Sequence, residues 1–201
     1  MENHLVRRKV GFFGGTFDPI HFGHLNLALQ ILEIHKLDQI FFSPANFSPE
    51  KGESPPTAPK KARKEMVELA IEEIPEFTVI DIELEREGPS YTIDTIKLLQ
   101  KQMPEVEFYL ILGEDILKGL PRWKDVEKLL EMAPPLVGGR HKADSPDLPE
   151  LIQKKIHKGR TPIPSMEISS TELRTLLHQK KYCGQWIPAK VLDYIHKHKL
   201  Y

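Results

Sequence analysis

The chain has a single cysteine, Cys183. That excludes an internal disulfide framework and suits a reducing compartment. Neither sign of charge is in excess. The 28 Lys and Arg against 29 Asp and Glu leave a formal net charge of −1, which removes any global electrostatic pull toward nucleic acid. The short basic pairs Lys60-Lys61 and Lys154-Lys155 read as solvated faces. No apolar run is long enough to span a bilayer. The first residues, Met1-Glu2-Asn3-His4-Leu5-Val6-Arg7-Arg8, lack the apolar stretch of a signal peptide. The expectation is a cytoplasmic protein with neither membrane nor nucleic acid as partner. Internal repeats and a second core are also missing, so the 201 residues read as one domain, 1–201, with a real core. No carboxylate cluster suggests a dedicated metal cage.

The most informative segment begins with the apolar run Val10-Gly11-Phe12-Phe13. It continues as Gly14-Gly15-Thr16-Phe17-Asp18-Pro19-Ile20-His21-Phe22-Gly23-His24, and the helical pattern Leu25, Ala28, Leu29, Leu32 follows. Strand, glycine-rich turn and helix start together expose backbone N–H groups at the positive end of a helix, where phosphate binds. His21 and His24, three residues apart, share one face of the first turn and are placed to address the same phosphate. Taken alone, Gly14-Gly15 reads equally well as a tight turn. A zinc pair is a poorer reading, because His-x-x-His differs from the His-x-x-x-His of a zincin helix and no Glu follows His21. Gly23 lies between the imidazoles and removes a side chain where a nucleotide approaches.

Along the chain, strand-like and helix-like segments alternate. Strands are expected at Val10–Phe13, Gln39–Ser43, Phe77–Leu84 and Phe108–Leu112, with a last short one starting at Leu136-Val137. Helices are expected at Leu25–His35, Ala62–Ile74, Thr92–Met103 and Val126–Met132. Residues 44–59, rich in Pro, Ser, Gly and Lys, read as a long exposed loop. Residues 141–165 read as a connector carrying one amphipathic helix near Leu151–Ile156. A small C-terminal helical segment, about 165–201, holds Thr171–His178 and Ala189–His198, the latter behind Pro188. Continuously apolar strands alternating with helices predict an α/β fold, a Rossmann-like doubly wound parallel sheet covered on both faces. In such a fold Gly14-Gly15 and Gly113-Glu114-Asp115 fall on one sheet edge, the edge where ligands bind.

A second constellation is Ile168-Ser169-Ser170-Thr171-Glu172-Leu173-Arg174. As structure it is a helix start, with Ser169 or Ser170 as N-cap and Glu172 in the first turn. Free N–H groups, hydroxyls and Arg174 one turn in also make an anion cradle. The two segments together resemble the paired phosphate-binding signatures of the HxGH nucleotidyltransferase superfamily. The resemblance implies that Gly14, Gly15, Thr16, Phe17, His21, Gly23, His24, Gly113, Asp115, Ile168, Ser169, Ser170 and Arg174 form an ATP site. Within it His21, His24 and Arg174 are implied to stabilise charge on the phosphates.

Three further segments narrow the resemblance to bacterial nicotinate mononucleotide adenylyltransferases. Ser90-Tyr91-Thr92-Ile93-Asp94-Thr95-Ile96 is one. Gly113-Glu114-Asp115 followed by Leu120 and Trp123 is another, and the ending Trp186-Ile187-Pro188 through Val191, Tyr194 and Ile195 is the third. The similarity covers nearly the whole chain in order. It implies that Thr92 and Trp123, with Tyr91 beside them, take the pyridine ring and its carboxylate, and that Asp115 takes ribose hydroxyls. An indole face suits a flat aromatic cation. Without the resemblance, Trp123 is equally a core or surface aromatic, and Asp115 equally a helix N-cap for 116–120.

The chain departs from the family pattern at Asn46-Phe47-Ser48-Pro49-Glu50-Lys51 and at Gly139-Arg140-His141-Lys142. There Lys51 and Arg140 take the places of the family's lysine and arginine. The implied reaction is adenylyl transfer from ATP to nicotinate mononucleotide, with Mg²⁺ carried on the ATP and no metal held by the protein itself. Two other readings stay open: preference for the amide mononucleotide, and a non-catalytic ATP-binding module. The residues also leave oligomeric state open, a homodimer among the options.

Overall fold

The computed structural model describes residues 7–47, 56–139, 148–164 and 166–201. Lys51 and Arg140 therefore lie outside the described residues. Six strands form one parallel sheet: β1 Arg8–Gly15, β2 Gln39–Pro44, β3 Phe77–Val79, β4 Val106–Gly113, β5 Pro135–Gly139 and β6 Arg160–Pro162. Their spatial order is β3-β2-β1-β4-β5-β6, the order of a doubly wound dinucleotide-binding sheet. The helices are α1 Phe22–His35, α2 Lys60–Ile71, α3 Ile82–Glu85, α4 Thr92–Gln102, α5 Val126–Met132, α6 Glu150–Lys158, α7 Ser170–His178 and α8 Ala189–His198.

Strand periodicity explains the layering, because alternate side chains leave opposite faces of a pleated strand. Phe13, Ile40, Phe42, Ile111 and Leu136 point into the layer under α1, α2, α7 and α8. Val10, Phe12, Phe41, Leu110, Leu112 and Val137 point into the layer under α4, α5 and α6. Both sets are buried, which is why these strands read as continuous apolar runs.

Four expectations are corrected. Phe77–Leu84 is not one strand: β3 ends at Val79 and α3 begins at Ile82. The alternating apolar residues conceal a turn of helix that buries Glu83 and Leu84. Nor is β5 the last strand, since β6 pairs with it through Val137–Arg160, Gly138–Thr161 and Gly139–Pro162. The three residues of β6 carry no apolar alternation, so nothing in their pattern announces a strand. The helix expected from Leu25 starts earlier, at Phe22, with His21 as its N-cap in extended conformation. Asp115 caps no helix over 116–120; it lies inside a single 3-10 turn, Glu114–Ile116.

Chain reversal at the switch point places the site. β1 and β4 are neighbours, and their following segments leave to opposite sides of the sheet. Gly14-Gly15 and Gly113 therefore meet at the carboxyl edge, where a crevice opens.

Candidate active site

That crevice is a cleft of about 650 Å³, the size of a small-molecule site. One end is built from the β1–α1 turn and the start of α7. Phe17 holds a left-handed backbone (φ 48°), a strained conformation for an aromatic residue. The strain is held in place by packing. Its ring is 2% exposed and stacks edge-on to Phe13 at 5.5 Å and to His24 at 5.1 Å between centroids. A Cβ on Gly15 would lie 2.9 Å from that ring, so only glycine lets the turn fold back this tightly.

His21 and His24 stack at 3.7 Å between centroids, 26° from parallel. The His21 main-chain N–H donates to Nδ1 of His24 at 3.3 Å. A neutral His24 must then carry its proton on Nε2, where it is a donor. Burial lowers His21 from 6.5 to about 4, because a charged imidazole there loses its water. Its Nδ1 is buried and has no protein hydrogen-bond partner.

Gly23 has a structural reason beyond the one its position suggests. A Cβ there would sit 2.9 Å from Cγ2 of Ile168 and 3.0 Å from the His21 ring. The glycine lets the second motif approach the first, besides lining the cleft. Two more contacts join the motifs. Ser170 Oγ donates to the Pro19 carbonyl at 3.0 Å, and Arg174 Nη1 donates to the Asp18 carbonyl at 2.8 Å. Ser169 is the N-cap of α7, its hydroxyl accepting from the Glu172 amide at 3.2 Å while Glu172 Oε2 accepts from the Ser169 amide at 3.1 Å. Two positive helix ends thus meet at one end of the cleft.

The other end is made of side chains. Tyr91, Thr92 and Trp123 line it, together with Glu83, Arg122 and Lys124. Ser90 and the turn before it are held by the segment after β2: the Asn46 amide donates to Ser90 Oγ at 3.0 Å, and Asn46 Nδ2 donates to the carbonyls of Arg86 and Gly88 at 3.3 Å. Trp123 Nε1 is buried without a protein partner, as a donor kept for a ligand would be. The Lys124 ammonium lies 4.7 Å from the Tyr91 ring centroid and donates to Asp94 at 2.8 Å. Glu83 is buried, accepting from Thr95 Oγ1 at 2.9 Å. Burial pushes its carboxyl up, opposed by Thr95, Arg86 and Ser90.

Of the residues singled out in the sequence, Gly14, Gly15, Thr16, Phe17, His21, Gly23, His24, Tyr91, Thr92, Gly113, Asp115, Trp123, Ile168, Ser169 and Ser170 all line this one cleft. Arg174 does not line it; its guanidinium turns to Asp18 and to Thr171 Oγ1 at 3.2 Å. Sequence reasoning passed over Glu83 and Lys124, whose neighbours Ser90 and Trp123 were the only signal. It also gave no task to Asp18, although Asp18 sits in the middle of the first motif.

Residues 12–176 match the cytidylyltransferase-like family. A protein of Oceanobacillus iheyensis named "Probable nicotinate-nucleotide adenylyltransferase" is 37% identical over 194 residues, covering 96% of this chain and 97% of its own. One of the same name from Thermus thermophilus is 39% identical over 198 residues, covering 96% and 99%. The chain belongs to the nicotinate-nucleotide adenylyltransferase family. Among solved structures, the Plasmodium falciparum nicotinic acid mononucleotide adenylyltransferase complexed with NaAD superposes with a TM-score of 0.79 at 23% identity, covering 96% of this chain and 97% of that one. That likeness shows the fold this family shares. Among the described residues, no helix is long and apolar enough to cross a membrane.

Proposed function

We propose that this adenylyltransferase, acting as a single domain in the cytoplasm, transfers the adenylyl group of ATP to nicotinate mononucleotide. The observation that carries the reading is the division of one cleft into a phosphate end, built from two helix starts, and an aromatic end at Tyr91, Thr92 and Trp123. A 5′-phosphate oxygen of the mononucleotide attacks the α-phosphorus of ATP. The new P–O bond forms as the bond to the β-phosphate oxygen breaks, releasing pyrophosphate and leaving nicotinic acid adenine dinucleotide. The attacking phosphate is already an anion, so no general base is needed. The protein's work is positioning and charge stabilisation.

In this reading the Nε2–H of His24 donates to a phosphate oxygen. His21, kept neutral by burial, gains proton affinity when phosphate charge is placed against it. Ser169, Ser170 and the amides of α7 hold the triphosphate, and Arg174, with five donors of which two are engaged, meets its outer phosphates. Gly14, Gly15, Thr16, Phe17, Gly23, Gly113 and Ile168 shape the nucleotide's path, and Asp115 receives ribose hydroxyls. Lys51 and Arg140 belong to the same proposal by position in sequence alone.

Among the described residues, no group of three or more His, Cys, Asp or Glu is placed to hold a metal ion, and paired imidazoles suit softer ions than magnesium. Mg²⁺ would arrive with ATP rather than on protein ligands, and would supply positive charge to offset that of the pyrophosphate product.

Pyrophosphate release is measured with ATP and either nicotinate or nicotinamide mononucleotide. Faster release with the acid is the expected result. Preference for the amide overturns the substrate, and ATP binding without release overturns the activity.

A further inference from the structure

Behind the phosphate end of the cleft lies a buried carboxylate that the proposed reaction does not use. Asp18 is 3% exposed and fully partnered. Its Oδ1 accepts from the Tyr201 hydroxyl at 2.6 Å and from the Ala58 amide at 3.0 Å. Its Oδ2 accepts from the Thr57 amide at 2.7 Å and lies 3.9 Å from Nη1 of Arg174. That same nitrogen donates to the Asp18 carbonyl. Arg63, 1% exposed, closes the other side by donating to the carbonyls of Thr16 at 2.7 Å and Asn46 at 3.1 Å. Burial, then the hydrogen bond to Asp18, pushes the Tyr201 phenol far above its ordinary value, so it stays a donor.

Besides the Thr57 and Ala58 amides, two side chains share the carboxylate. One is Tyr201, through its hydroxyl. The other is Arg174, the residue read above as a ligand of the triphosphate. Between 2.6 and 3.0 Å, the amides and the phenol make real hydrogen bonds. At 3.9 Å the Arg174 contact is an ion pair without a hydrogen bond. Remove the phenol, and Oδ1 keeps one neutral donor while an arginine waits within reach. A carboxylate freed from the phenol could close the 3.9 Å gap to Arg174 and engage a guanidinium N–H.

We propose that Tyr201 and Asp18 form a positioning pair: the phenol holds the carboxylate back from a full ion pair with Arg174, leaving that guanidinium available for the triphosphate. Neither residue touches the reacting atoms. The proposal rests on the reading of Arg174 as a triphosphate ligand.

Tyr201→Phe keeps the ring and deletes the hydroxyl, and its thermal midpoint is measured alongside its kinetics. KM for ATP should rise about 3- to 10-fold, equivalent to about 1 kcal/mol, while KM for the mononucleotide stays within about twofold. In an Arg174→Ala background, adding Tyr201→Phe should leave KM for ATP where Arg174→Ala put it, the non-additivity of a coupled pair. A lowered thermal midpoint with both KM values unchanged means that Tyr201 is only structural, and overturns the proposal. An equal further rise in the Arg174→Ala background also overturns it, because the effect then bypasses Arg174. If Arg174→Ala alone leaves KM for ATP unchanged, the role of Arg174 fails first and this pair has nothing to position.

Discussion

The two ends of the cleft are built from different materials. The end proposed to take phosphate is shaped by backbone and glycine. Gly15 and Gly23 stand where a Cβ would collide with Phe17, His21 and Ile168, and Phe17 is strained into a left-handed turn. The imidazoles are stacked, and main chain sets the orientation of His24. The aromatic end is an array of partly exposed side chains, with Tyr91, Trp123 and Lys124 standing on otherwise ordinary helix starts and turns. Phosphate presents the same tetrahedral charge in every nucleotide, so a fixed backbone cradle serves it. A pyridine ring and its carboxyl group distinguish one substrate from another, and exchangeable side chains serve that. The contrast predicts that substitutions at the first end act on turnover and on ATP, and at the second on affinity for and choice of the mononucleotide.

The severest challenge to the contrast is His24→Ala. Losing one preorganised donor to the developing charge should lower turnover by about 10²–10³ with an unchanged far-ultraviolet circular dichroism spectrum. Turnover within about threefold of wild type, against the several kcal/mol such donors supply, would remove His24 from the chemistry.

Next comes the acid limb of stability. Folded His21 protonates only near 4, against 6.5 for a free imidazole. Between those values the unfolded chain binds a proton that the folded chain refuses. This contribution is therefore whole above pH 6.5 and is lost as pH falls toward 4, at most on the order of 3 kcal/mol. Thermal midpoints of wild type and His21→Asn, compared between pH 7.5 and 5 (about one unit above and between the two values), should converge in acid. Parallel curves would mean that His21 is not held neutral by its burial.

Trp123→Ala tests the other end. Loss of an aromatic face against a cationic ring, about 1–2 kcal/mol, should raise KM for nicotinate mononucleotide about tenfold and leave KM for ATP alone. An equal rise for ATP would show that the two ends are not separate. The smallest effect belongs to Lys124→Ala. The acid and amide substrates differ by one charge, and an exposed ammonium already paired with Asp94 discriminates weakly. The acid-over-amide ratio of kcat/KM should fall about threefold, as fits an exposed charge, and an unchanged ratio would assign discrimination elsewhere.

The same contrast explains what could be read from the sequence. The phosphate end is legible because its geometry is local: strand, two glycines, a turn and a helix start lie within one stretch, and backbone requirements restrict residue type. β1, β2 and β4 are legible because both their faces are buried, leaving nothing polar to break the run. Glu83 and Lys124 are harder, since their relevance depends on which neighbours the fold brings opposite them. Asp18 was visible but mute, because its partners at Thr57, Ala58, Arg174 and Tyr201 are 39, 40, 156 and 183 residues away. β6 owes its existence to pairing with β5 alone, and no local preference of Arg160-Thr161-Pro162 announces it.

The contact between Gly23 and Ile168 has a consequence for protein engineering. A chimera that takes residues before α2 from one family member and α7 from another joins two surfaces that were fitted to each other within a single molecule. A Cβ on Gly23 would already lie 2.9 Å from Cγ2 of Ile168, so one added methyl group there pushes apart the surfaces that join Ser170 to Pro19 and Arg174 to Asp18. The practical unit of exchange is the pair of motifs, and a library that varies one of them while holding the other fixed will mostly sample broken seams.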